Sequence, residues 1–471
     1  MPTLYHGTLI HSLSLTQLEV LPNALLCVSD TDGIIEWLER GVEGSEIQEV
    51  AARKGVILDG GVEVVVLGKG EVLCPGMIDT HTHAPQYPNN GLGQQYQLLE
   101  WLDKLTFPRE AMFADVEYAR RIYDQVVKRN LNAGTTTACY YGSLHDESTR
   151  VLADICDDKG QRAFVGKCCM DRNCPPTYTE TTESCISSTK SWLSHFDKFT
   201  SPSSSDSGSG SDQSVPSPPL VQPILTPRFA ISTTPEVLAF IGKLAHSRSP
   251  SIAIQTHLSE NPAEVEFTKQ LFPDCETYAG VYDKYDLLGP GTILAHCVHL
   301  DDKEREVISK RGAGISHCPT SNTHLNSGAA DVGKMLRAGI KVGLGTDCGG
   351  GYALGILPSL RQAAGVSRFV SWSSAGSTAS PSSCDAQPLS LPQLFHMATL
   401  GGASLCRLES RIGNFLPGKE FDALRIKPAS PGMWTDDRDS PEEVFEKWLF
   451  TGDDRDVADV WVRGRRVGGA A

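Results

Sequence analysis

The sequence contains no stretch of 18 or more apolar residues, so no membrane span is expected. It has no Cys-x-x-Cys pair, which argues against a structural zinc ribbon. Its 14 cysteines mostly stand singly inside apolar runs, as at Cys27, Cys139, Cys156 and Cys406. That is the usage of reduced, buried thiols rather than of a disulfide framework. Basic charge is scarce. Lys and Arg number 42 against 57 Asp and Glu, a formal net charge of −15 that repels phosphate backbones and argues against nucleic-acid partners. The segment Met1–His6 has no basic region followed by an apolar core, so no secretory signal is expected and a cytoplasmic enzyme is. What is there is a chain of 471 residues, 40% hydrophobic and 21% charged, the composition of a soluble globular protein. It can hold one large domain with additions, or roughly two to three average ones.

From residue 72 onward a rhythm sets in. Apolar runs rich in Val, Ile, Ala and Gly occur at Val72–Ile78, Thr135–Tyr141, Ala163–Cys169, Val221–Leu225, Ser251–Thr256, Thr292–Cys297, Gly312–Ser316 and Lys341–Thr346. Amphipathic segments such as Asp115–Asn130, Thr234–His246 and Asp302–Lys310 separate them. Strand–helix alternation at this spacing implies a parallel sheet, and eight units imply a closed (β/α)8 TIM barrel. An open doubly wound sheet would carry a Gly-rich phosphate turn after its first strand, and none is present. Before the barrel, residues 4–70 read as short strands, clearest at Ile34–Trp37 and Val62–Leu67. After it, Pro417–Ala423 reads as a turn into a strand, and Val457–Val467 as a strand pair around Gly464. The fold class is therefore α/β: a barrel over 72–412 and a small β-sandwich-like domain built from residues 1–71 and 413–471. Thr200–Pro219 and Ser371–Gln387, rich in Ser, Gly and Pro, read as flexible surface loops.

The chemistry-bearing residues gather at the run ends. His81 and His83 lie two apart in Asp79-Thr80-His81-Thr82-His83, so at a strand end both imidazoles aim to one side. Lys167, Arg228, His257, His296, His317 and Asp347 close later runs or lie just past them. In a barrel these ends converge on one face. An aspartate ending the apolar strand Gly343–Asp347 is costly to bury unless paired or metal-bound. Histidines and an aspartate make a donor set suited to zinc or iron, and a metal so held lowers the pKa of water toward about 7. Asn261, Pro262 and Glu264 spell a helix start, which puts Glu260 on the loop between His257 and that helix. Glu260 is then either a carboxylate set beside a possible metal ligand or a favourable charge near the helix N-terminus.

These motifs resemble a known family. His81-Thr82-His83, His257, His296 and Asp347, on strands one, five, six and eight, look like the metal site of the amidohydrolase superfamily. Within it, Asp79–Tyr87, Gly166–Asp171, Thr226–Phe229, Gln255–Asn261, His317–Asn322, Gly345–Tyr352 and Leu449–Arg455 resemble the guanine deaminases, and the likeness covers nearly the whole chain. The resemblance implies hydrolysis of guanine to xanthine and ammonia. It implies one zinc per chain on His81, His83, His257 and Asp347, with iron an open alternative, and a homodimer. Glu260 would carry a proton to the purine ring, His296 would orient the attacking water, and Asp347 would take the water's proton. Gln86, Arg228 and Phe229, with His83 and Glu260, would hold the base. Three alternatives stay open: a related mononuclear deaminase acting on another purine, a pterin or a triazine; a binuclear enzyme with a carbamylated Lys167; and an inactive scaffold. His145-Asp146-Glu147 reads His-x-Glu but lacks a following Pro-Cys-x-x-Cys, so it is taken as loop chemistry.

Overall fold

The computed structural model describes residues 2–58, 61–200, 218–375 and 387–470. The chain opens with β1 (Thr3–Ser14) and β2 (Gln17–Val28), an antiparallel pair of 12 residues each, where short strands were expected. β1 is buried on both faces. Tyr5 packs with Phe415, Phe421 and Trp461, while Leu4 packs with Cys27 and Val50 on the other side. Burial on both faces removes the polar alternation that marks a half-exposed strand. β3 (Ile35–Arg40) and β4 (Glu63–Val66) extend this sheet, as does β5 (Val72–Pro75).

The run read as one strand, Val72–Ile78, is divided at Gly76. β5 pairs with β1 through Leu73 and Leu9, and the barrel begins only at β6 (Met77–His83). A Cβ at Gly76 would lie 2.1 Å from Thr136 Oγ1, so glycine alone lets the chain pass between the two sheets here.

The barrel continues through β7 (Thr135–Tyr141), β8 (Arg162–Gly166), β9 (Cys168–Cys169), β10 (Val221–Pro227), β11 (Ala253–Leu258), β12 (Thr292–His296), β13 (Gly314–His317) and β14 (Lys341–Leu344). All neighbours are parallel, and β9 is a two-residue continuation of the third strand beyond Lys167. The ring closes where the Asp347 N–H donates to the His81 carbonyl (2.9 Å) and Thr80 Oγ1 donates to the Leu344 carbonyl (2.8 Å). Helices cover the outside. Val116–Asn132 is capped by Asp115, which accepts from the Glu117 and Tyr118 N–H groups, and it buries Ala119, Tyr123, Val126, Val127 and Leu131. That spacing is one helix face, and each large apolar side chain so buried contributes about 1.5–3 kcal/mol. Pro235–Ala245 and Asp302–Arg311 are capped in the same way by Thr234 and Asp301.

The C-terminal segment returns to the first sheet as β15 (Ala423–Ile426), β16 (Val457–Val462) and β17 (Arg465–Gly468). β15 pairs with both β5 and β16, so the two chain ends share one sheet. The Tyr5 and Trp461 rings lie 5.5 Å apart although β5 and β15 separate their strands. The sheet therefore curls enough to bring rings from β1 and β16, three strand positions apart, into contact.

Ser371–Ala375 continue the helix Ile356–Ala375 rather than opening a loop, while 376–386 and 201–217 lie outside the described residues. The helix Pro441–Thr451, not foreseen, buries Val444, Phe445, Trp448 and Leu449 in the main core.

At the barrel end away from the histidines, Arg162 starts β8 fully buried. Its Nε donates to Asp422 Oδ2 (3.0 Å) and its Nη2 to Glu420 Oε2 (2.5 Å) and Asp422 Oδ1 (3.1 Å). Arg411 and Arg463 also bind Glu420.

Candidate active site

His81, His83, His257 and Asp347 come from β6, β11 and the turn after β14, and one donor atom from each lies within 4.8 Å of all the others. His83 Nε2 is 3.3 Å from His257 Nε2, and Asp347 Oδ1 is 3.2 Å from His81 Nε2 and 3.4 Å from His83 Nε2. All four residues are buried. Burial holds the His81 imidazole below its usual pKa, and those of His83 and His257 well below it, so the rings are neutral at pH 7. Burial also raises the Asp347 carboxyl, but the hydrogen bond to His81 and the other imidazoles outweigh it and hold the group well below the usual carboxylate range.

This donor set fits a metal on an observation independent of the motif. His257 Nδ1 faces the Arg228 carbonyl at 2.6 Å, and a carbonyl only accepts, so Nδ1 carries the proton and Nε2 offers its lone pair toward His83. Two ring nitrogens meeting in a dry pocket beside a carboxylate are relieved by a shared cation. The four residues can hold a single metal ion. A second donor group, His81, His296 and Cys318, shares His81 with the first.

The strand ends are held in an unusual backbone. Ser259 (φ 49°), His296 (φ 71°), Cys297 (φ 52°) and Asp347 (φ 46°) are all left-handed without being glycine. Each such residue costs about 1–3 kcal/mol and persists only where surrounding bonds over-determine it. Asp79 braces the residue just before Asp347. Its Oδ1 accepts from the Thr346 N–H (3.0 Å) and the His81 N–H (3.2 Å), and its Oδ2 from Thr346 Oγ1 (2.5 Å).

Glu260 points into the same space. Its Oε1 accepts from Ser327 Oγ (3.2 Å), and its Oε2 lies 3.4 Å from His296 Nε2. Burial, with Asp347 nearby, pushes its pKa up to about 8. The helix-start role falls instead to Glu264, which accepts from the N–H groups of Glu260 (2.9 Å) and Asn261 (3.3 Å). His296 Nδ1 donates to Asn322 Oδ1 (2.8 Å), which aims Nε2 between Glu260 and Asp347, 3.9 Å from Asp347 Oδ2.

Beside the donor group lie Gln86, on the turn Ala84–Asn89, and Arg228 and Phe229, just past β10. With His83, His257, Glu260 and Asp347 they line a tight pocket that Leu98, Trp101, Leu102 and Leu325 also border. The roof at Leu98, Trp101 and Leu102 runs into a π-helical turn, Leu102–Thr106, a local geometry that recurs at functional sites.

Not every candidate joins this group. Lys167 is buried, with Nζ donating to Glu180 Oε2 (2.6 Å) and the Cys168 carbonyl (3.1 Å), and it follows the third strand. His317 is buried, its pKa pushed down to about 3 by burial, and belongs to neither donor group. His145 precedes the helix Asp146–Lys159 and is also outside both.

Two residues that the sequence did not single out matter here. Asn322 sets the His296 tautomer. Glu110, fully buried, accepts from Gln86 Nε2 (2.8 Å), Arg228 Nη1 (2.6 Å) and Arg228 Nη2 (3.1 Å). Asn322 lies in the stretch His317–Asn322, so its motif was a signal. Glu110 follows Phe107-Pro108-Arg109 in a helical segment, where an acid reads as a solvated charge.

The sequence profile described as the Amidohydrolase family matches residues 72–467. A guanine deaminase of Dictyostelium discoideum is 41% identical over 98% of each chain. The Homo sapiens guanine deaminase is 40% identical over 99% of this chain and 97% of its own. Among solved structures, a guanine deaminase from C. acetobutylicum with guanine in its active site superposes with a TM-score of 0.84 at 31% identity, covering 99% of this chain and all of the other.

Proposed function

This chain belongs to the amidohydrolase family, and from that premise we propose that it deaminates guanine hydrolytically, giving xanthine and ammonia in purine catabolism. The observation that carries the reading is the cavity itself. It brings three of the metal donors, His83, His257 and Asp347, together with Glu260, Gln86, Arg228 and Phe229, and His296 stands behind Glu260 at 3.4 Å. The relatives of about 40% identity support the same substrate.

We assign His81, His83, His257 and Asp347 to one zinc ion, which when bound would supply Lewis acidity and lower the pKa of water toward about 7. Asp347 takes the proton of the attacking water. His296, its Nδ1–H held by Asn322, keeps Nε2 free to accept from that water. Glu260, kept in a dry pocket, delivers a proton to the ring nitrogen beside the amino-bearing carbon, and a later proton goes to the departing amine. Water's oxygen bonds to that carbon, the carbon–nitrogen bond breaks, and ammonia leaves. Arg228 and Gln86 bind the ring edge, while Phe229, packed on His257 at 5.5 Å, borders the ring face.

The test is ammonia release from guanine by the purified protein, with metal content measured on the same sample. Release that stops on chelation and returns with zinc, at about one metal per chain, supports reaction, substrate and site together. One bound metal without release moves the substrate elsewhere, and triazines, pterins and adenosine derivatives are then the panel. We also propose that residues 77–412 carry the catalytic barrel and that the chain ends form one supporting domain.

A further inference from the structure

We propose that Glu110 is a positioning residue that gives the pocket its hydrogen-bond polarity and so selects the substrate edge. The inference rests on the guanine-deaminase reading and deepens it. A carboxylate can only accept. Glu110 accepts from Gln86 Nε2 at 2.8 Å, so the Gln86 amide is held with its donor turned away from the ligand and committed. Its Oε1 is left buried without a protein donor. Glu110 also takes Arg228 Nη1 and Nη2 end-on, at 2.6 and 3.1 Å, with the guanidinium seated between the Phe107 and Phe229 rings at 5.3 and 5.9 Å. Arg228 Nε has no partner.

One fully buried carboxylate thus sets two residues at once, with Gln86 as an acceptor and Arg228 as a donor of fixed plane. A ring edge that satisfies this pair carries an N–H beside an oxo group. An edge with the pattern reversed, a bare ring nitrogen beside an amino group, sets acceptor against acceptor and donor against donor. Unpaired buried polar groups of this kind discriminate more strongly than missing apolar contact. Nothing else among the described residues fixes the Gln86 amide by a side-chain hydrogen bond. Glu110 touches no reacting atom, so it acts through Gln86 and Arg228.

The experiment compares guanine with 2,6-diaminopurine, which keeps the reacting 2-amino group but reverses the edge. In Glu110→Gln the Gln86 amide is free to turn. The KM for guanine should rise at least tenfold with kcat changed less, and the guanine-over-diaminopurine preference in kcat/KM should fall at least tenfold. Glu110→Asp, which keeps the charge, should retain most of the preference. A merely structural role would weaken both substrates in parallel and leave the ratio unmoved, and that result would overturn the proposal. If Glu110→Gln does not fold, Gln86→Leu removes the acceptor while keeping the Glu110–Arg228 pair, and an unmoved ratio there is equally fatal. Wild-type protein inert on guanine would instead defeat the functional reading, a separate outcome visible in the same assay.

Discussion

Replacing Arg162 by Met tests how the two sheets are joined. Arg162 is fully buried and makes three charge-assisted hydrogen bonds to Glu420 and Asp422, which lie just before β15. Removing one partner of a buried pair costs about 3–5 kcal/mol, because the abandoned carboxylates stay in the dry interior. Arg463 and Arg411 still hold Glu420, so the cost should not exceed that range. For 471 residues the unfolding entropy is about 1 kcal/mol/K, so the Tm should drop by about 3–5 °C. The pH dependence has a definite sign. Burial raises the Glu420 carboxyl, but Arg162 and then Arg463 outweigh it and bring its pKa down to about 2 from 4.5. A depressed carboxyl stabilises fully above about pH 4.5, and the stabilisation, about 3 kcal/mol, is lost as pH falls toward 2. Differential scanning fluorimetry of both proteins from pH 8 to 2.5 should show a gap that is constant above about 5 and shrinks below it. Ammonia release at 25 °C should be unchanged, because Arg162 lies at the opposite end of its strand from the donors. A Tm equal to wild type at pH 7 would mean that the desolvation cost of the network cancels its Coulomb gain, and the reasoning would be refuted.

Glu260→Gln should keep its metal and lose about 10²–10⁴-fold in kcat, the usual worth of a placed general acid; a rate within tenfold of wild type would remove Glu260 from proton transfer. Lys167→Met should destabilise by about 3–5 kcal/mol through the stranded Glu180, yet bind the same metal per chain; two metals in wild type, lost together in this variant, would favour a bridging lysine. A Cβ at Gly349, which has φ +106°, would lie 2.4 Å from Gln86 Oε1, so Gly349→Ala should raise the KM for guanine about tenfold or more. An unchanged KM would take Gln86 out of base binding.

The barrel and its donors were legible because their signals are local. A parallel strand buried on both faces is an apolar run, and a ligand at its end interrupts that run with a polar residue, as at His257 and Asp347. The capping box at Asn261–Glu264 was equally plain, while the role of Glu260 beside it stayed open until the geometry was in hand. What escaped depends on distant partners. Glu110 acquires meaning only when Arg228, 118 positions later, folds back onto it. Asn322 needed His296. The break at Gly76 was hidden because apolar residues continue through it, and only the pairing partners change from β1 to β7. β1 was taken as shorter because two cores flank it and no polar alternation survives.

The roof over the cavity has a kinetic consequence. Leu98, Trp101 and Leu102 are buried, and the residues beneath them are all but sealed from solvent. If a purine-sized ring enters beneath Leu98, Trp101 and Leu102, the segment around the π-helical turn has to shift once for each substrate and again for each product. Chemistry and traffic then run in series through one door. Solvent viscosity, which slows a hinged segment but not a proton transfer, becomes a lever on turnover wherever the door is the slower of the two.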